Sequence, residues 1–206
     1  MNENILQAIG SGFLMQMGII MSLGMQNMYV IKKGIRKEFP FWVAMTCGIC
    51  EIILMTIGVM GASAIFNLAP GAKTYLMFGA AAFLVCYGLR SLKTAFFSKE
   101  ESSIDTDSKD EPSSLWASIL AAIGFSLLNP QAIFESILFF GGVAPKYGTL
   151  ANYFLLGAVL GSFVWLLSLA GATTFALPKA PSPRAMRMLE GASGGLLVSI
   201  GFGMVL

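Results

Sequence analysis

Two acidic residues stand where acids are costly. Glu51 ends the stretch Thr46-Cys47-Gly48-Ile49-Cys50-Glu51, and Glu135 ends Leu127-Leu128-Asn129-Pro130-Gln131-Ala132-Ile133-Phe134-Glu135; both lie inside long apolar runs. At 1.5 Å per helical residue, Glu51 falls about 15 Å beyond Phe41, close to the middle of a hydrocarbon layer about 30 Å thick. An ionisable side chain at that depth faces a cavity, a pathway or a partner. The other acids have simpler places. Six lie between Ser98 and Ser114, Glu3 is terminal, Glu38 is in a basic turn, and Glu190 is three residues from Arg187. No Lys or Arg lies at the depth of Glu51 and Glu135, and a buried carboxylate without a cation is disfavoured as an ion. The pair is expected to be protonated or to await a cation, which is what a carrier exchanging protons for a cationic solute requires. The bland alternative is a pair of neutral acids hydrogen-bonded between helices.

Each acid has a broken helix for company. Pro130 has no N–H to donate and clashes with the preceding turn, so the run is interrupted at Asn129-Pro130. The first run reaches Ser22-Leu23-Gly24-Met25-Gln26-Asn27, and Gly and Asn are poor helix formers, so an unwinding near Gly24 is expected. In lipid, freed backbone groups are tolerated only where protein buries them or a cavity solvates them. Gln26, Asn27, Asn129 and Gln131 are the amides that would supply polar contacts to a solute. For Gln26 and Asn27, hydrogen-bonding a neighbouring span is the alternative role. Trp165 is a candidate cap for the cavity, with interfacial or core packing as its alternative.

The elements that must position these residues are membrane helices. The chain has 206 residues, 56% hydrophobic and 12% charged, whereas soluble domains carry about 25% charged residues. Six apolar runs are long enough to span, roughly 5–31, 41–67, 73–97, 115–143, 150–177 and 185–206. They fill nearly the whole chain and predict an all-α integral membrane protein. No nucleophile–base pair, cofactor motif or nucleic-acid surface is visible, so an enzyme and a bound cofactor are not expected. Histidine is absent, which removes the commonest proton relay and metal ligand. No Lys or Arg precedes Lys32, so the first run lacks the basic start of a cleavable signal peptide.

With the N-terminus outside, the inner loops hold Lys32, Lys33, Arg36, Lys37, Arg90, Lys93, Lys99, Lys109, Lys179, Arg184 and Arg187, and the outer side only Lys73 and Lys146. That asymmetry predicts six spans with both termini on the non-cytoplasmic face. The four basic residues after the first span are expected to fix orientation and to meet lipid headgroups.

The polar stretch 98–114 reads as a solvated cytoplasmic linker between two three-helix repeats, 1–97 and 115–206. Each half opens on a Gly-Phe span, Gly12-Phe13 and Gly124-Phe125, that amides then interrupt. Three spans per half orient the halves oppositely, so a 3+3 inverted repeat with interrupted first and fourth helices is expected, with a site at the midplane between repeats. Gly157-x-x-x-Gly161 and Gly191-x-x-x-Gly195 permit close helix approach, either within the chain or in a homodimer.

Cys47 and Cys50 are spaced as C-x-x-C. The pair would serve a divalent-metal exporter or a transmembrane thiol–disulfide carrier, although cysteines three apart on a helix also simply share a packed face. A non-transporting scaffold is a further alternative.

In order along the chain, Gly24-Met25-Gln26-Asn27-Met28-Tyr29-Val30, Gly34-Ile35-Arg36-Lys37, Cys50-Glu51, Ala82-Phe83-Leu84-Val85-Cys86-Tyr87-Gly88, Leu128-Asn129-Pro130-Gln131 and Ser162-Phe163-Val164-Trp165 resemble the LysE/ArgO family of basic amino-acid exporters. Where that family has proline, two aspartates and histidine, this chain has Met25, Glu51, Glu135 and Gln131. The resemblance implies export of L-lysine or L-arginine from the bacterial cytoplasm across the cytoplasmic membrane, coupled to the proton gradient.

Overall fold

The structure, a computed structural model, describes residues 2–22, 24–68, 72–97, 114–176 and 183–203, and all regular structure among them is helical. The linker expected at 98–114 lies outside the described residues except for Ser114.

The first apolar run is two helices. Helix α1 spans Asn2–Ile20 and α2 spans Met25–Arg36, with axes bent by 78°. The break falls at Gly24, which caps α2 in an extended conformation and leaves its N-terminus without a side-chain cap. At the other end of α2, Lys37 takes a left-handed conformation (φ 57°), and the N–H groups of Lys37 and Glu38 donate to the carbonyls of Gly34 and Lys33, both at 3.0 Å. This Schellman turn folds Glu38 back over the helix end. It changes the role expected of Lys33, whose side chain is 0% exposed, pairs with Glu38 at 2.7 Å and lies 5.8 Å from the Tyr29 ring centre. The pattern of basic residues could not distinguish it from a headgroup-facing neighbour. Only the turn geometry places an acid over it.

Helix α3 (Pro40–Leu68) begins on proline, whose missing N–H costs nothing at a first turn. Trp42, Met45, Ile49, Ile53, Ile57 and Met60 form an exposed apolar stripe at helical spacing, while Val43, Ala44, Cys47, Cys50 and Met55 are buried on the other side. A helix apolar on both faces, with the bulkier residues outward, faces lipid rather than water. Helix α8 (Ala151–Gly171) repeats this: Tyr153, Leu156, Leu160 and Val164 point out, and Phe154, Gly157, Ala158, Gly161, Ser162, Leu166 and Ala170 point in. Among the described residues, Pro40–Gly61 and Gly141–Ala176 are each long and apolar enough to cross a membrane, and α1 with α2 passes the same test only when the bent pair is taken together, as a broken span or a re-entrant loop.

The remaining elements are α4 (Ala72–Phe97), α5 (Leu115–Leu127), α6 (Pro130–Glu135), α7 (Gly141–Val143) and α9 (Pro183–Gly203). Ser114 caps α5 by accepting a hydrogen bond from the Ala117 N–H at 3.2 Å. A π turn, Ser136–Phe140, joins α6 to α7, and a 3-10 segment, Ala144–Leu150, leads into α8 through Gly148 at φ 52°, a conformation that suits glycine. A second π turn, Ala172–Ala176, ends α8, and hydroxyls serve its carbonyls: Thr173 Oγ1 donates to Leu169 O at 2.7 Å and Thr174 Oγ1 to Ala170 O at 2.6 Å.

Lipid tails are as apolar as leucine, so helices here associate by close packing rather than by escaping water. The chain packs in pairs: α4 along α9, α1 along α8, and α3 against both α5 and α8. Gly12 faces the Phe154 carbonyl and Gly157 faces the Ile9 carbonyl, with no room for a Cβ at either. Gly157-x-x-x-Gly161 is thus used within the chain. In the second motif the tight contact shifts to Gly194, whose Cβ would lie 2.7 Å from the Gly88 carbonyl, while Gly195 has no neighbour within 4 Å. One core cluster joins Met15, Met55, Phe139, Phe140, Phe154 and Leu197; another joins Tyr29, Val30, Val43, Cys47, Ala122 and Leu166.

Candidate functional site: an acid-lined cavity at two helix breaks

The end of α1, the start of α2, the middle of α3 and the α5–α6 junction enclose a cavity with about 580 Å³ of non-protein space, counting its open mouth. Glu51 and Glu135 both line it, although 84 positions separate them in the chain. Gly24, Gln26, Asn27 and Asn129 also line it, so both interruptions of the helical runs open onto the same space.

The Glu51 carboxylate is held from three other helices. Gln16 Nε2 on α1 donates to Oε2 at 2.6 Å, Ser162 Oγ on α8 donates to the same oxygen at 2.8 Å, and Gln26 Nε2 on α2 donates to Oε1 at 3.2 Å. Gln16 Nε2 also reaches Ser162 Oγ at 2.9 Å, which closes the network. All three donors are neutral.

Asn27 manages the first break. Its Nδ2 donates to the carbonyl of Ile20, the last residue of α1, at 2.5 Å, and to Ser22 O at 2.8 Å, which also accepts from the Gly24 N–H at 2.9 Å. Its Oδ1 accepts from Trp165 Nε1 at 3.3 Å. An asparagine there supplies two donors to the chain before it and an acceptor to α8, which no apolar residue can do. Asn27→Ala is expected to destabilise the folded protein by about 2 kcal/mol, because the buried Ile20 carbonyl loses its Asn27 donor and Trp165 Nε1 loses its acceptor. A thermal unfolding midpoint in detergent unchanged from the parent would rule out this role. At the second break, Pro130 opens α6, and the Asn129 carbonyl accepts from the Ile133 N–H at 3.2 Å.

Of the residues singled out in the sequence, Glu51, Glu135, Gly24, Gln26, Asn27 and Asn129 come together around one space. Pro130 is the first residue of α6, next in the chain to Asn129. The Gln131 side chain lies outside the described residues. Trp165 is half-buried behind Asn27 and is not among the residues lining the cavity. Gln16 and Ser162 are the additions. Both are polar side chains in apolar runs, which was the only signal for Gln16, while Ser162 also opens the Ser162-Phe163-Val164-Trp165 segment. Cys47 and Cys50 are free thiols, buried on α3 and outside the lining. Among the described residues, no three His, Cys, Asp or Glu side chains cluster as metal ligands would.

Helices that turn bulky apolar faces outward around an internal, acid-lined cavity define a helical membrane protein with a polar interior site. The chain belongs to the LysE type translocator family, whose model matches residues 17–206. It is similar to the arginine exporter protein ArgO of Klebsiella pneumoniae subsp. pneumoniae, at 28% identity over 93% of this chain and 90% of that protein. The ArgO proteins of Salmonella enteritidis and Pectobacterium carotovorum are each 29% identical, covering 93% and 87% of this chain and 90% and 87% of their own. No solved structure matches it.

Proposed function

We propose that this protein is a secondary active transporter that exports a cationic amino acid, L-arginine or L-lysine, across the bacterial cytoplasmic membrane by proton antiport. The carrying observation is that Glu51 and Glu135 line one cavity at the meeting of two helix breaks. The cytoplasm is electrically negative, so moving a monocation outward costs about 2.3 kcal/mol per 100 mV and needs coupling. A pair of carboxylates in one cavity that takes up a cation and a proton at different times supplies that coupling.

The architecture proposed is six spans in a 3+3 inverted repeat, with both termini on the non-cytoplasmic side. The helix pairing supports it. Exchanging the halves turns the α1–α8 contact into the α5–α3 contact and leaves α4 with α9 and α3 with α8. A pseudo-two-fold axis in the membrane plane requires the same exchange, and binding sites of such carriers lie at that axis.

An amino acid also brings a carboxylate. The N-terminus of the twelve-residue α2, at Gly24 on the cavity wall, has no side-chain cap, and its backbone N–H groups would receive that carboxylate. One of the two acids, Glu51 or Glu135, would then hold the side-chain cation, with polar contacts from Gln26, Asn129 and Gln131. Asn27 and Trp165 would act by holding the break in shape.

The direct test is uptake of labelled arginine and lysine into proteoliposomes with an imposed pH gradient, with Mn²⁺ and Cd²⁺ as competitors. Gradient-dependent accumulation of either amino acid, unaffected by the metals, is expected. Failure to accumulate either one would overturn the reading.

A further inference from the structure

Which acid carries the proton can be argued from the groups around Glu51. A carboxylate has about four lone-pair positions, two on each oxygen. Gln16 and Ser162 occupy both positions on Oε2, and Gln26 takes one on Oε1. One position remains for a ligand, so Glu51 cannot grip a guanidinium or ammonium through both oxygens without discarding a donor.

The same groups suit a proton. When Glu51 becomes a neutral acid, its O–H needs an acceptor where donors now stand. Fixed backbone N–H groups could not provide one. A hydroxyl and a side-chain amide can, because a hydroxyl rotor turns and an amide exchanges its two ends. Gln16 has the required acceptor in reserve: its side chain is buried, and Oε1 has no hydrogen-bond partner. A buried unsatisfied carbonyl oxygen is uncommon and costs about 1–3 kcal/mol. Turning the Gln16 amide over presents that oxygen to the Glu51 O–H, and it does so only in the state where Glu51 carries a proton.

We infer that Glu51 is the proton-carrying acid, that Gln16 is the positioning residue that serves both of its protonation states, and that Glu135 is the acid that holds the substrate cation. This rests on the antiport reading above. In the cycle, a proton from the outer medium adds to a Glu51 oxygen and forms its O–H bond while the cation leaves Glu135 outward. After the cavity turns inward, that O–H bond breaks, the proton passes to the cytoplasm, and Glu135 takes the next cation. The titratable groups near Glu51 are Cys47 and Cys50 on its own helix and Glu135 across the cavity. On α1, α2 and α8 the neighbours facing it are the neutral Gln16, Gln26 and Ser162.

The experiment compares two modes in proteoliposomes: uptake driven by a pH gradient, and exchange of labelled for unlabelled arginine at equal pH, which moves no net proton. Glu51→Gln is expected to lose gradient-driven uptake by at least about tenfold while keeping exchange within about threefold of the parent. Glu135→Gln is expected to lose both modes. Gln16→Met keeps the length of the side chain without its amide, and it should shift the pH profile of driven uptake while sparing exchange. Loss of exchange in Glu51→Gln with retention in Glu135→Gln would reverse the assignment and overturn it. So would loss of both modes in both variants, and so would a Gln16→Met profile superimposable on the parent. If parental protein exchanged arginine without responding to the gradient, the antiport reading would fail first, which is a different result.

Discussion

Gradient-driven arginine uptake is expected to fall at least about 100-fold when Glu51 and Glu135 are both replaced by glutamine, equivalent to about 2.7 kcal/mol of lost transition-state stabilisation. Glutamine keeps the size of each side chain and removes only its charge. A monovalent cation entering the cavity of the double variant would meet no carboxylate on its wall, since Glu51 and Glu135 are the acids that line it. An uncompensated charge in such a site costs several kcal/mol. The substitution should leave the fold intact. A glutamine amide at 51 would present donors toward the amide of Gln16, but Gln16 can answer by turning its unpaired Oε1 inward, and Ser162 can accept as well as donate. The measurement is initial uptake rate per inserted protein, with insertion checked by size-exclusion profile. Parental rates in the double variant would remove the acids from the mechanism and leave them as packing groups.

The two acids were legible in the sequence because charge inside an apolar run is a conspicuous exception, and Pro130 marked the second break for a similar reason. The break at Gly24 was legible from helix propensity alone. What brings these together was not. Gln16 and Glu51 are 35 positions apart and Gln16 and Ser162 are 146 apart, and an amide or hydroxyl in a membrane run carries no mark of its partner. Polar glue between helices and a shell around an acid are the same residue types. The glycine motifs told that helices approach closely but not which ones. Gly157 turned out to face Ile9, so the first motif builds the interior of this chain. The burial of Lys33 was not legible: among four basic residues expected first to fix orientation it has no distinguishing mark, and only the reversal at Lys37 puts Glu38 within 2.7 Å of it. Asn27 was read as a polar contact for a solute, or glue between helices, and Trp165 as a cap or a packing residue; Asn27 lines the cavity. Their hydrogen bonds run to carbonyls of the chain and to each other, which an amide and an indole at a break do not announce in sequence.

The seam between α1 and α8 carries the largest expected effect on stability. A Cβ added at Gly157 would stand 2.7 Å from the Ile9 carbonyl carbon and 2.9 Å from its Cα, besides colliding with the carbonyl oxygen. At Gly12 the obstacle is again backbone, with the Phe154 carbonyl carbon at 2.8 Å. Backbone cannot change rotamer, so relief requires the two helices to separate along the contact. In lipid nothing refills that gap with a hydrophobic gain, and the dispersion contacts of the seam are lost. Overpacking of this kind costs about 1–3 kcal/mol for one methyl group and more for a larger one. Gly157→Ala is therefore expected to lower the unfolding midpoint by several degrees, at about 2–4 °C per kcal/mol for a chain of this size, and Gly157→Leu to abolish recovery of monodisperse protein. Gly10→Ala is the control, because nothing lies within 4 Å of its missing Cβ; helix propensity alone should leave it neutral or slightly stabilised. Gln16 and Ser162 face each other across the same seam at 2.9 Å, so moving α1 from α8 also loosens both donors on Glu51 Oε2. A Gly157→Ala protein that survives purification should consequently lose gradient-driven uptake more steeply than its lowered midpoint explains. Unchanged stability together with parental uptake would mean that the two helices are not held at this distance in the membrane.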